Sequence, residues 1–245
     1  MALMAHIKLE DTNTVKNALL PGDPARLDRI AVHLEQVEEL ACNREFRTIK
    51  GIYQGCAVLA VSTGIGGAGT AIVVEELAAI GVKNMIRIGS CGALQKGIRV
   101  GDLVLVHGAV RDEGTSKAYV DAAYPAVADF SLLGACREAA EAAQIPYHIG
   151  LARSHDSFYI DEKDEIYSYW QKKGILASDM ETAGLYVAGR LRGVRCASIL
   201  NVVVGCEEEL QAQINRYTDG EDMAARGERR EILTALNALR YIDKP

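Results

Sequence analysis

The sequence predicts an α/β fold, and three observations carry that prediction. Short apolar runs of strand length alternate with longer amphipathic runs of helix length along the chain. Several of the strand-like runs end directly in glycine-bearing turns. No Pro/Ser-rich linker and no internal repeat divides the chain, so residues 1–245 are read as a single domain around a largely parallel or mixed sheet.

In chain order, a strand at 17–20 is followed by a helix at 25–34, a strand at 56–62 and a helix at 70–80. Strands at 84–89 and 102–109 come next, then a helix at 130–143, a strand at 148–152, a helix at 181–191, a strand at 197–204 and a helix at 223–239. Ser131 and Glu221 lie near helix starts, and Gly81 and Gly193 stand where C-caps are expected. Residues 111–128, 158–174 and 206–222 show less pattern. Loops of that length usually serve a site or an interface, although plain surface excursions fit them too.

At 245 residues, a folded chain buries about three quarters of its surface and needs no disulfide or metal staple. The net charge of −6, with no basic block and no aromatic-basic interleaving, argues against a nucleic-acid partner. The N-terminal MALMAHIKLED lacks the basic and apolar regions of a signal peptide, and no run has the apolar length of a membrane span. Six cysteines lie scattered without CxxC spacing, which predicts free thiols, no zinc site and a reducing cytoplasm.

Three segments carry most of the chemical information: PGDPAR at 21–26, STGIGGAG at 62–69 and IRIGSCG at 86–92. Each is a glycine-bearing turn after an apolar run. Backbone N–H groups and guanidinium forks at strand ends suit a phosphate-like anion. Any one segment alone would be read as a tight turn. Three of them, with Arg26 and Arg87 built in, point to an anion site. Arg87 sits inside an apolar run and must find an anionic partner there.

Residues 64–69 also match GxGxxG between a strand and a helix. Arg87, rather than an acid, ends the next strand. An NADP-dependent oxidoreductase therefore stands only as an alternative, and the glycines are read as allowing close strand–helix approach.

PGDPAR, NREF (43–46), STGIGG, IRIGSCGAL, YPAVADF (124–130), DSFY (156–159) and SDMETAGLY (178–186) together resemble the hexameric nucleoside phosphorylases, in order and over nearly the whole chain. That family includes uridine phosphorylases and bacterial-type purine nucleoside phosphorylases. The resemblance implies one α/β domain, a central mixed sheet flanked by helices, and cleavage of a nucleoside by phosphate to free base and pentose 1-phosphate. No cofactor or metal is implied, because phosphate is a co-substrate.

The resemblance also implies roles. Phosphate would be held by Gly22, Arg26, Arg87 and Ser90, with Arg44 supplied by a neighbouring subunit. Met180 would lie against the ribose and Glu181 would accept from its hydroxyls, while His6 would reach the sugar across a subunit boundary. Arg26, Arg87 and Glu181 would carry catalysis. Phe158 would stack on the base. Asp179 stands where the family usually has glutamate, which leaves its role open.

The base is where the sequence departs from both patterns. Val204 occupies the position of the purine enzymes' proton-donating aspartate. Glu162 and Asp164 occupy the positions of the uracil-binding Gln-x-Arg pair, and Lys163 could serve only if the loop shifts by one residue. The uridine-type reading is preferred on Val204. A purine or modified-nucleoside phosphorylase is the alternative, followed by a hydrolase-type enzyme and a non-catalytic nucleoside-binding protein. The expected partners are a nucleoside, phosphate and further copies of the chain, as a homohexamer or homodimer with shared sites.

Overall fold

The computed structural model describes residues 3–10, 14–206 and 222–242. The strands are β1 (Asn17–Pro21), β2 (Glu35–Asn43), β3 (Phe46–Tyr53), β4 (Cys56–Val61), β5 (Asn84–Ala93), β6 (Leu103–Asp112), β7 (Ala126–Val127), β8 (Tyr147–His155), β9 (Ala177–Asp179) and β10 (Arg195–Val204). The helices are α1 (Arg26–Ala31), α2 (Gly67–Ala79), α3 (Gly114–Tyr119), α4 (Phe130–Ala142), α5 (Lys163–Lys172), α6 (Thr182–Leu191) and α7 (Asp222–Ile242).

The strands form one mixed sheet in the order β10-β6-β8-β9-β5-β1-β4-β3-β2, with β7 beside β6. An additional β10–β5 pairing closes β5, β10, β6, β8 and β9 into a ring. Within the sheet, β4, β1, β5 and β10 run parallel to one another. β1 is buried at every position, as a parallel strand covered on both faces must be.

The period of two along β1 divides the core. Ala18 and Leu20 join the apolar cluster that includes Val73, Val74 and Leu77 of α2 and Leu185 and Tyr186 of α6. Leu19 joins the opposite cluster with Leu27 and Ile30 of α1, Leu132 and Cys136 of α4, and Ile232 and Leu236 of α7. The expected α/β architecture, a mixed sheet with helices on both faces, is therefore what the chain adopts. All six cysteines are free thiols. No helix among the described residues is long and apolar enough to cross a membrane.

The differences from the sequence reading have physical causes. The β2–β3 hairpin was missed because β2 is a charged edge strand, exposed along most of its length, with Glu35, Glu38 and Glu39 breaking any apolar pattern. The weakly patterned 111–128 contains the end of β6, α3 and β7, and 158–174 contains α5. No side chain of α5 is fully buried, so it carries no apolar stripe to read. Asp129 rather than Ser131 caps α4, its Oδ1 accepting from Leu132 N at 2.9 Å. Gly81 (φ 93°) and Gly193 (φ 66°) follow α2 and α6 in the left-handed conformation expected of them. Glu221 lies outside the described residues.

Candidate active site

Parallel strands place their carboxyl ends on one side of a sheet, where α/β proteins gather ligands. A cavity of about 960 Å³ opens there, reached by the ends of β1, β4, β5 and β10. Gly22, Arg26, Arg87, Ser90, Met180, Glu181, Phe158 and Val204 all line it. Segments far apart in sequence thus meet at one place.

At one end sit the two arginines. Arg26 is buried on the first turn of α1, and its Nη1 donates to Ile88 O at 3.2 Å and its Nη2 to Ser90 Oγ at 3.4 Å. Glu228 Oε2 and Glu231 Oε1, both on α7, lie 3.0 Å from its Nε and Nη1. Arg87, in the middle of β5, is also buried. Its Nε donates to Asp179 Oδ2 at 3.1 Å and its Nη2 to Glu181 Oε2 at 2.5 Å. Burial works against the Arg87 charge, yet the Glu181 and Asp179 carboxylates more than offset it and hold its pKa above the ordinary arginine value.

Gly89 makes this geometry possible. It lies two residues beyond Arg87 on the same face of β5, and a Cβ there would come within 2.5–2.9 Å of the guanidinium atoms. The guanidinium therefore folds back over its own strand.

Glu181 stands just before α6 and bridges two of the glycine-bearing segments. One carboxylate oxygen takes Arg87, and the other accepts from Gly66 N at 2.6 Å. Burial pushes its carboxyl above the ordinary value, opposed by Arg87. Gly66 has φ 95°, and a Cβ on Gly69 would collide with Thr63 O. The GxGxxG glycines thus serve a tight strand-to-helix turn and an amide aimed at Glu181, as close approach predicted. Asp179 acquires a definite place: Oδ2 also accepts from Thr182 N and Oγ1 at 3.0 and 2.6 Å, and Oδ1 accepts from Ser154 Oγ at 2.6 Å. It fixes Arg87 and the start of α6 together.

The far end of the cavity is walled by Phe158, Val203 and Val204 and by one stripe of α5, where Asp164, Tyr167, Ser168 and Gln171 recur at helical spacing. His155 joins them; burial, then the nearby Arg153, holds its pKa below the ordinary value.

Three expected site residues do not line this cavity. Glu162 is exposed at the N-terminal boundary of α5 and is not among the residues lining the cavity, whereas Lys163 and Asp164, at the start of the helix, are. His6 and Arg44 sit together elsewhere. His6 Nδ1 lies 2.7 Å from Glu76 Oε1, and Asn43 Nδ2 donates to His6 O at 2.8 Å. Arg44 is exposed in the adjoining β2–β3 turn with φ 56°.

Sequence reasoning missed Gly89, Gln171, Glu228 and Glu231. The signal for the last two was present: glutamates three apart on the helix 222–242 share a face with Ile232 and Ala235, which are buried.

The phosphorylase superfamily model matches residues 16–235. The chain belongs to that superfamily. A uridine phosphorylase of Thermococcus kodakarensis is 38% identical over 97% of this chain and 86% of its own length. A guanosine phosphorylase of Halorubrum lacusprofundi is 41% identical over 82% of this chain and 83% of its own. Among solved structures, uridine phosphorylase of Vibrio fischeri ES114 superposes with a TM-score of 0.91 at 44% identity, covering 98% of both chains. Superfamily membership and the pairing of Arg87 with two carboxylates displace the NADP-dependent alternative.

Proposed function

We propose that the protein cleaves uridine or a related pyrimidine nucleoside with inorganic phosphate, releasing the base and a pentose 1-phosphate. Its reaction class is that of a nucleoside phosphorylase, a pentosyltransferase. The observation that carries the assignment is the cavity itself, which Arg26, Arg87, Ser90, Met180, Glu181, Phe158 and Val204 line together, Val204 lying opposite Gly92, further along β5 than Arg87.

The chemistry follows from that order. A phosphate dianion held by Gly22 N–H, Arg26, Arg87 and Ser90 lies beneath the sugar, where it attacks the anomeric carbon and offsets the positive charge that develops on the ring. Glu181 accepts from the ribose hydroxyls while its other contacts fix its orientation. The C–N bond breaks as the C–O bond to phosphate forms, and the bonding electrons leave with the base. Uracil departs as a delocalised anion, so the apolar Val204 at that end is tolerated.

A second reading, a purine nucleoside such as guanosine, is favoured by one observation: Asp164 lines the cavity and can accept from ring and exocyclic N–H groups. Each site is further proposed to be completed by His6 and Arg44 of another subunit, in a cytoplasmic homohexamer or homodimer. A panel of uridine, thymidine, inosine, guanosine and adenosine, each with and without phosphate, tests both readings. Phosphate-dependent release of uracil supports the first. Preference for guanosine replaces it with the second, and release independent of phosphate removes both.

A further inference from the structure

Arg26 is one of two cations at the phosphate end, and it enters the cavity from a helix of only six residues. An arginine carries several rotatable bonds, so its fork is useful to an anion only when something else fixes its direction. Among its partners, Ile88 O and Ser90 Oγ belong to the cavity-forming strand end. Two more, Glu228 and Glu231, come from the C-terminal helix α7.

The two glutamates are not equivalent. Glu228 is shared: Arg29 lies against both of its oxygens and also reaches Asp23. Glu231 is fully buried, and Arg26 is the cation in contact with it, at 3.0 Å from Nη1. A buried carboxylate costs free energy wherever it stands, and hydrophobic residues at this position would pack α7 with no such cost.

We infer that Glu231 is a positioning residue for phosphate binding, holding the Nη1 edge of Arg26 so that its Nη2 edge stays beside Ser90 at the phosphate end. The inference rests on the reading of Arg26 as a phosphate ligand. The local charge fits it. Two guanidiniums stand among four carboxylates (Asp179, Glu181, Glu228 and Glu231), which would repel a dianion if all were ionised. Burial, aided by Glu228 and opposed by Arg26, Arg87 and the Gly89 N–H, pushes the Glu231 carboxyl up to about 8. Near neutrality it therefore anchors Arg26 largely as the acid, leaving the guanidinium charge to the phosphate.

Steady-state kinetics with phosphate and nucleoside varied separately test this. Glu231→Ala should raise KM for phosphate about tenfold, the scale of a loosened charge-assisted contact, and leave KM for the nucleoside within about twofold. Glu231→Gln, of the same size and able to keep an oxygen at the 3.0 Å approach to Nη1, should recover most of that loss. Glu231→Asp, one methylene shorter, serves if the alanine variant does not fold, and should raise KM for phosphate several-fold. Arg26→Ala should raise it too, and adding Glu231→Ala to Arg26→Ala should raise it no further.

An unchanged phosphate KM in Arg26→Ala would overturn the phosphate reading of Arg26. A raised value there, with Glu231→Ala and Glu231→Asp at parental values, would overturn the positioning role alone. So would equal rises for phosphate and nucleoside, or a further rise in the double variant.

Discussion

Glu181 Oε2 lies 2.5 Å from Arg87 Nη2, and the two side chains are almost wholly buried. The carboxylate proposed to hold the ribose and the cation proposed to hold phosphate are thus directly coupled, so neither can be altered alone.

That coupling sets the first prediction. Arg87→Ala should lower the rate about a hundredfold or more through loss of a preorganised charge. It also strands Asp179 and Glu181 in the interior, which should cost about 3–5 kcal/mol of stability. Adding Asp179→Asn and Glu181→Gln should restore much of the stability and none of the activity, as read by thermal melts beside phosphorolysis assays.

Gly89→Ala should act on the same arginine from a different direction. Its methyl would displace the Arg87 guanidinium by roughly an ångström, and kcat/KM should fall on the order of tenfold to a hundredfold. Near-parental kinetics in a folded variant would show that Arg87 need not lie over its own strand.

Mixing subunits tests the shared site. Arg44→Ala and Glu181→Ala chains, each inactive alone, should regain activity when mixed, because one composite site draws its intact Arg44 and Glu181 from different chains. Subunit exchange confirmed by mass, without recovered activity, would favour self-contained sites.

Base choice should follow the β10 end. Val204→Asp supplies an acid for a purine leaving group, a contribution of about a hundredfold in favourable cases. The ratio of inosine to uridine turnover should therefore rise by about tenfold or more over the parent. An unchanged ratio would place the base away from Val204.

The last prediction concerns pH. Burial raises Glu231 from an ordinary 4.5 to about 8 in the folded protein. A group raised on folding stabilises most below its unfolded value, and that benefit is lost as pH climbs through the folded value. Glu231→Gln cannot ionise. Its melting temperature relative to the parent should be flat below about 4.5 and rise steadily up to about pH 8. A difference independent of pH would mean that Glu231 stays ionised in the fold.

The strands that carry the chemistry were legible because they are buried on both faces and end in glycine. β1, the start of β5 and the end of β10 could each be read that way, and with them Gly22, Arg87 and Val204. What escaped was whatever lacks an apolar period. β2 is a charged edge, and α5 lies half-exposed along the cavity with no side chain fully buried. That Lys163 and Asp164 line the cavity while Glu162 does not was illegible for the same reason, since it depends on where α5 begins. Glu228 and Glu231 escaped because their shared helix face, although legible, carries nothing that ties it to Arg26, about two hundred positions away.

β5 pairs with β1, β10 and β9 at once. A strand locked on both sides cannot slide by even one residue without breaking two ladders and turning Arg87 to the opposite face. The wall made by α5 is under no such restraint: it touches the cavity with one stripe and seals no core. On the proposed reading, exchanging Asp164, Ser168 and Gln171 should therefore change which base is accepted while β5 keeps Arg87 in register.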